Sequence, residues 1–373
     1  MADRVVAATH ELTRTGAPLS LLHVLRWLRS HTDLEIEVVA GRLGEDGGQL
    51  RPDFESLVPT RLAPELFDPT TSAPSLPAAP VLYLNSILAA GALSHLPSPR
   101  PYVIARVPEL SMSFRRSLDE PVLARLLAEA DRFVAVSGSV RRLLVERYGV
   151  AEDAIAVVPG SIDLSGYAPA GEADTAALRR SLGLPDDALV VGAAGTTDWR
   201  KGPDLFVRLA KALQERLPDR PVHFVWIGGE PGGPAFWRVE RRLVPASLSE
   251  RVHFLGSRPD PYSYYALMDV FALTSREDPF PRVCMEVGAV GVPIVTFDNG
   301  GAAELVAKGC GYVVPYLDVD AMADHVAELL VDRSLHDRLG AVGAEVVRRD
   351  HTVDVGGPAT LAEIERGLTA GPS

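Results

Sequence analysis

Residues 188–203 read ALVVGAAGTTDWRKGP: an unbroken apolar run of strand length, a polar loop from Gly195 to Gly202, and a proline. A short run with no polar alternation is the pattern of a strand buried on both faces, as in a parallel sheet. Pro203 suits a first helical turn, because its φ is already fixed and the N–H it lacks would have no partner there. Strand, loop and helix in this order make one βα step of a doubly wound α/β fold, and the loop then lies at the ligand end of the sheet. The alternation continues outward. It predicts strands at 222–227, 252–255, 269–274 and 293–297, and helices at 203–216 and 281–289.

Upstream the same rhythm appears as VVAAT, a helix from about Ala17 to Ser30, then IEVVA, VLYL, YVIA and FVAV, all before residue 160. Leu19, Leu22, Leu25 and Leu28 fall at three-residue steps and predict a core-facing helix stripe. The Pro/Ala/Ser-rich stretch from Pro64 to Pro80 reads as a surface loop within this first half. The polar, turn-rich Ser165–Asp174 reads as a domain boundary. With 373 residues the chain is longer than one hydrophobic core usually serves. The expected organisation is an N-terminal Rossmann-like domain over 1–165, a second over 166–356, and a terminal amphipathic helix over 357–373.

Composition narrows the function. Asp and Glu number 49 against 37 Lys and Arg, a net charge of −12, which argues against a nucleic-acid-binding surface and requires any anionic ligand to meet a local basic site. Only Cys284 and Cys310 are present, and no His/Cys group has zinc-ligand spacing. The N-terminus lacks the pattern of a secretory signal, and no apolar run approaches the roughly 20 residues needed to span a bilayer. A cytoplasmic protein without a transmembrane segment is the expectation. The basic residues Arg141, Arg142 and Arg147 leave peripheral contact with anionic lipid open. The oligomeric state is not set by these features.

Two loops can carry chemistry. In the first, Arg200 and Lys201 sit between a strand and a helix, where a planar fork and a compact ammonium can neutralise phosphate oxygens. The alternative is a solvated basic pair capping the loop. The second, Ser275–Gly291, reads SREDPFPRVCMEVGAVG after another buried strand. Pro281 at the first helical position would point the N–H groups of Arg282 and Val283 toward an anion at the positive end of the helix dipole. Asp278 before that helix and Glu286 inside it could grip hydroxyl pairs on two sugar rings flanking a diphosphate. The alternative makes Asp278 an N-cap and leaves Glu286 solvated. The Asp-Val-Asp at 318–320 reads as a helix start capped by Asp320 and not as a metal site. Gly-rich 227–234 reads as a plain turn.

These motifs resemble the retaining GT-B glycosyltransferases of family 4, also called group 1 glycosyltransferases. The resemblance rests on the RKG turn, on an acid followed after seven residues by Glu, and on the GVPIV and GGAAEL segments that follow. It implies two Rossmann-like domains facing a central cleft. It implies that Lys201 and Arg200 hold the donor diphosphate, that Asp278 binds the donor sugar, and that Glu286 binds the ribose. Gly195, Thr196, Phe280, Arg282 and Val283 would complete the phosphate and sugar site. Gly256 and Arg258, in VHFLGSR, would line the base pocket, and Gly16, in TRTGAP, would lie beside the donor phosphates. Lys201, Arg200 and Asp278 are the expected catalytic residues.

Three positions depart from the family pattern. Asp278 stands where Glu is commoner, Thr196 where many members have Arg, and Pro108 where many have His before Glu-Leu. Arg106, Glu109 and His95 are the acceptor-side candidates. The implied reaction moves a hexosyl unit from a UDP- or GDP-linked sugar to a hydroxyl of a small molecule or saccharide, with retention, without a metal, and with the nucleotide sugar as co-substrate and no other cofactor. The alternatives are a catalytically silent sugar-nucleotide-binding subunit and an epimerase or phosphorylase of the same fold.

Overall fold

The computed structural model describes residues 3–44, 47–165, 167, 172–230, 233, 243–258 and 260–372. The chain divides into two units, Met1–Asp163 with His351–Ser373, and Leu164–Asp350. Of the stretch read as the boundary, residues 166 and 168–171 lie outside the described residues, as do 231, 232 and 234 of the glycine-rich turn.

The first unit carries seven parallel strands: β1 (Arg4–Glu11), β2 (Glu35–Arg42), β3 (Thr60–Leu62), β4 (Val81–Asn85), β5 (Tyr102–Val107), β6 (Arg132–Ala135) and β7 (Ile155–Val157). Their order is β3-β2-β1-β4-β5-β6-β7, so the direction of winding reverses between β1 and β4. The outermost strands β3 and β7 were not foreseen. Each is three residues long, too short to show a periodicity. Helix α1 (Gly16–His31) buries Leu21, Leu22, Leu25 and Leu28. Leu19 is only half-buried, and Leu21 takes the place expected for it, because three-residue steps drift round a 3.6-residue helix. Helices α2 (Arg51–Leu57), α3 (Ser111–Ser117), α4 (Glu120–Glu129) and α5 (Gly138–Tyr148) complete this part of the chain.

The second unit has six parallel strands: β8 (Leu189–Ala194), β9 (Val222–Ile227), β10 (Val252–Gly256), β11 (Val270–Leu273), β12 (Ile294–Phe297) and β13 (Gly311–Val314). Their order is β10-β9-β8-β11-β12-β13. Here the winding reverses between β8 and β11, and in open α/β sheets ligands bind outside the carboxyl ends of the strands at such a point. The described helices are α6 (Glu172–Ser181), α7 (Pro203–Arg216), α8 (Pro261–Tyr265), α9 (Arg282–Ala289), α10 (Gly300–Val306), α11 (Val319–Val331) and α12 (Arg333–Asp350). Phe206, Phe224, Trp226, Phe297 and Met322 share the core that α7 and α11 cover. Gly192, in the middle of β8, is required by packing: a Cβ there would stand 1.9 Å from the sulfur of buried Met268.

Two helix starts differ from the sequence reading. Asp318, not Asp320, caps α11, its carboxylate accepting the Ala321 N–H at 2.9 Å, while Asp320 turns toward Arg216. Pro281 is itself the cap residue of α9, with an extended ψ of 117°, so the helix opens at Arg282.

The last helix, α13 (Val353–Ala370), begins before Gly357 and packs on α1, β4 and β5 of the first unit. Its Gly356-Gly357-Pro358 looks like a break, yet the glycines serve close approach. A Cβ at Gly356 would meet the Ser161 hydroxyl at 2.5 Å, and one at Gly357 would meet the Trp27 ring at 2.3 Å. An ion pair also fastens this helix: Arg132 Nε donates to Glu363 Oε2 at 2.7 Å and Nη2 to Oε1 at 3.3 Å, with the two side chains only 12% and 11% exposed. Removing one partner of so buried a pair strands the other charge. Glu363→Ala should therefore lower the unfolding free energy by about 3 kcal/mol in urea denaturation, whereas a double exchange of Arg132 and Glu363 for leucine should cost less. A single-variant loss below about 1 kcal/mol would mean the pair behaves as a solvated one.

Candidate active site

The two loops that the sequence singled out follow β8 and β11, and so flank the switch point of the second unit. In the first loop the Asp198 carboxylate accepts the backbone N–H of Arg200 at 2.8 Å and of Lys201 at 3.3 Å, and also takes the hydroxyl of exposed Thr196. This turn presents Lys201 inward. Gly202 must be glycine: its φ is +71°, and a Cβ would stand 2.1 Å from the Thr274 carbonyl oxygen.

Lys201 Nζ donates to Asp278 Oδ2 at 2.5 Å, and Ser275 Oγ donates to the same oxygen at 3.3 Å. Asp278 is therefore not an N-cap but the anchor of the ammonium. An ammonium has three N–H groups, so two remain. Arg200 turns one Nη to the Glu277 carbonyl at 3.0 Å, joining the same two loops. In α9 buried Glu286 is not solvated. It accepts Arg282 Nε at 2.7 Å on one oxygen and the Tyr265 hydroxyl at 3.2 Å on the other. Burial, reinforced by the Glu286 charge, pushes the Tyr265 phenol well above its ordinary range, so it stays a donor. Burial likewise raises the Cys284 thiol, the nearby Asp278 carboxylate adding to it, and leaves an unreactive thiol.

Phe280 and Val283 lie on the same turn. Gly301 is held against it by donating to the Pro279 carbonyl at 2.9 Å, and a Cβ at Gly301 would collide with both Pro279 and Phe280. Gly256 is joined to the site through glycines packed backbone to backbone. Gly228 N–H donates to Gly256 O at 2.9 Å, Gly195 N–H donates to Ile227 O at 2.9 Å, and a Cβ at Gly228 would be 2.4 Å from Gly195 O. Buried Trp226 adds an indole N–H to Gly195 O at 3.0 Å. Beyond Gly256, the Arg258 guanidinium lies over Tyr264 at 5.7 Å, and its buried Nε has no hydrogen-bond partner among the described residues.

Arg276 was missed by the sequence reading and is the most connected residue here. It forks the Asp204 carboxylate at 2.8 and 2.6 Å, donates to the Trp199 carbonyl at 2.8 Å and lies 4.5 Å from the Trp199 ring centre. Its backbone N–H donates to Arg200 O at 2.7 Å, and its carbonyl accepts the amide of Asn299 and, at 3.0 Å, the hydroxyl of Tyr316. The available signal was its place two residues before Asp278, together with an acid in the first turn of α7.

Gly16 lies in the first unit, at the start of α1, with open space where a side chain would stand. The Thr13 and Thr15 hydroxyls turn to Glu11, and Thr15 does not cap the helix with its side chain. A hydrogen bond from His10 pulls Glu11 down to about 2 against the effect of burial, with Thr13 and Arg42 assisting. Asn85 donates to Ala17 O at 2.9 Å and accepts Arg106 Nη1 at 3.2 Å, linking this turn to the ends of β4 and β5. His95 is buried and fixes the Pro-rich segment through the Asp68 carbonyl at 3.1 Å. Glu109 is buried beneath Ser86, accepting its hydroxyl and, at 3.3 Å, the Ile87 N–H.

A family relationship accounts for this arrangement. Residues 174–346 match the model of glycosyl transferases group 1, and residues 91–165 that of glycosyltransferase family 4. The chain belongs to the group 1 glycosyltransferases of GT-B fold. D-inositol 3-phosphate glycosyltransferase of Nocardia farcinica is 36% identical over 229 residues, covering 60% of this chain and 49% of the relative. That of Corynebacterium urealyticum is 35% identical over 193 residues, covering 50% and 45%. The chain thus spans about half the length of the curated relatives it matches. Anabaena HepE, solved with UDP and glucose, shares the fold with a TM-score of 0.80 at 19% identity, over 97% of this chain and 99% of its own. Sucrose-phosphate synthase of Thermosynechococcus elongatus has a TM-score of 0.75 at 19% identity, over 98% and 99%.

Burial pushes the Glu109 carboxyl up to about 7, against the lowering effects of Ser86, Ile87 and Arg106. The folded chain therefore holds a proton that the unfolded chain releases near 4.5, and stability is lost as pH rises between the two values. Denaturation in urea should show this fall, of order 3 kcal/mol, between about pH 4.5 and 7. Glu109→Gln should remove that part of the slope. An unchanged slope in the variant would mean that Glu109 does not titrate there.

Proposed function

We propose that the chain transfers a hexosyl unit from a UDP- or GDP-linked sugar to a hydroxyl of a small polyol or saccharide, with retention at the anomeric carbon. The observation that carries this reading is the Lys201–Asp278 contact at the switch point of the second unit. Asp278 fixes the ammonium with one oxygen, and among the described residues its Oδ1 takes no hydrogen bond. That oxygen accepts a hydroxyl of the donor hexose. The remaining N–H groups of Lys201, the Arg200 guanidinium and the first amides of α9 meet the diphosphate oxygens, so its charge is balanced by protein groups and a metal is not needed. Glu286, oriented by Arg282 and Tyr265, accepts the ribose hydroxyls, and Gly256 with Arg258 borders the base.

In the reaction the bond from the anomeric carbon to the diphosphate breaks as the acceptor oxygen bonds to that carbon on the same face. The acceptor proton passes to the departing diphosphate oxygen. Lys201 and Arg200 stabilise charge that grows on that oxygen, an effect concentrated in the transition state. A small hydroxylated acceptor is supported by the relatives, named as acting on D-inositol 3-phosphate. A second reading, a silent sugar-nucleotide-binding subunit, is favoured by Pro108, which stands where the family resemblance implies His.

Transfer assayed by mass spectrometry against UDP- and GDP-hexoses and a polyol and saccharide panel separates the two readings. Lys201→Ala should lower turnover at least about 100-fold with little change in Tm, and unchanged turnover would remove the phosphate assignment. Glu286→Ala should instead raise the donor Kd about tenfold with a smaller effect on kcat. An unaltered Kd would take the ribose from Glu286.

A further inference from the structure

Among the described residues the two most exposed aromatic side chains, Trp199 at 57% and Tyr316 at 53%, are both fastened to Arg276. From this geometry we propose that Trp199, with Tyr316 held on the same arginine, is a stacking platform for the ring of a sugar, either the donor hexose or the acceptor. The inference rests on the glycosyltransferase reading and adds to it a residue that contacts substrate.

Exposed indoles on loops are ordinarily mobile. This one is fixed from behind, its carbonyl bonded to Arg276 Nη1 at 2.8 Å and its ring 4.5 Å from the guanidinium carbon, while the guanidinium is held by the Asp204 fork. A cation covering one face leaves the other as a flat, preformed apolar surface. Trp199 is also two residues from Lys201. The C–H face of a pyranose or polyol ring suits such a surface, since its hydrogens meet the electron-rich π face while its hydroxyls remain at the polar edge. Asp198 directly precedes the indole, and Asp204 is tied to it through Arg276. Two exposed rings, one after β8 and one after β13, are too little area for a stable protein interface.

The chain has four tryptophans, so the difference in emission between wild type and Trp199→Phe isolates this indole. The full chain is titrated with UDP, UDP-glucose, GDP, GDP-mannose, maltose and myo-inositol. Trp199→Ala should weaken at least one sugar-bearing probe about five- to tenfold, leave UDP and GDP affinity unchanged, and be largely rescued by Trp199→Tyr. Loss confined to the nucleotide sugars assigns the platform to the donor hexose; loss confined to maltose or myo-inositol assigns it to the acceptor.

Equal behaviour of Trp199→Ala and wild type toward every sugar-bearing probe overturns the proposal. So does a parallel loss of UDP and GDP affinity, which would make the ring a prop for the loop. A variant that loses only its binding to phosphatidylglycerol vesicles overturns it in favour of a lipid contact. If wild type transfers no hexose yet the sugar-specific loss persists, the transferase reading fails and the platform stands.

Discussion

The ligand edge of the second unit depends on one arginine, through its guanidinium and its backbone together. Arg276 touches the loop after β8 through Trp199 and Arg200, the first turn of α7 through Asp204, and the segments after β12 and β13 through Asn299 and Tyr316. Lysine could not replace it, since a point ammonium cannot fork a carboxylate, donate to a carbonyl and face an indole together. The acid it grips is used twice. Asp204 lies in the first turn of α7, where its charge also complements the helix dipole. Burial would raise its carboxyl, and Arg276 overcomes that and holds it below the usual range.

With the loops joined in this way, Lys201 and Asp278 are set by the scaffold and not by their own flexible side chains. The glycines around them follow from the same closeness. Gly202 lies against Thr274, Gly228 against Gly195, and Gly301 against Pro279, in each case with backbone where a Cβ would be. Chain segments can approach that closely only without side chains, and the result is a floor made of backbone with the few charged groups rising from it. Such rigidity lowers the entropy lost in ordering this floor around any flexible ligand.

How far the sequence disclosed this varies from residue to residue. The strands β8, β9, β11 and β12 and the helix α7 were legible because a buried parallel strand is a continuous apolar run, and α7 has a proline at its start. The pair of loops was legible because each joined such a strand to a helix. Arg276 was not, since its partners Trp199, Asp204, Asn299 and Tyr316 come from four places along the chain and only the sheet order brings them together. The alternatives left open at Asp278 and Glu286 needed coordinates for the same reason: whether a carboxylate caps, pairs or faces water depends on Lys201, Tyr265 and Arg282. The Gly-Gly-Pro of α13 misled because glycine required for packing against Trp27 has the same letter as glycine required for a turn.

The first unit shows why one half of a transferase is easier to read than the other. A diphosphate demands cations and helix amides whatever sugar it carries, so its site has a recurring composition. Hydroxyl acceptors share no such charge. After β5, where the family resemblance implies His, Pro108 places a side chain that can neither donate nor accept. The next residue turns inward: Glu109, buried and kept largely protonated by that burial up to about pH 7, takes the hydroxyl of Ser86. Ser86 has φ +108°, a conformation that side-chain-bearing residues seldom adopt and that costs about 1–3 kcal/mol unless its surroundings hold it. The acid at this position therefore stabilises a strained turn at the carboxyl end of β4. The polar groups next to it, Asn85 and Arg106, are already engaged with each other and with the Ala17 carbonyl at the start of α1. The edge is built on a hydrogen-bonded network of Glu109, Ser86, Asn85 and Arg106, and this network, not a residue standing in for a histidine, is what lies beside Pro108.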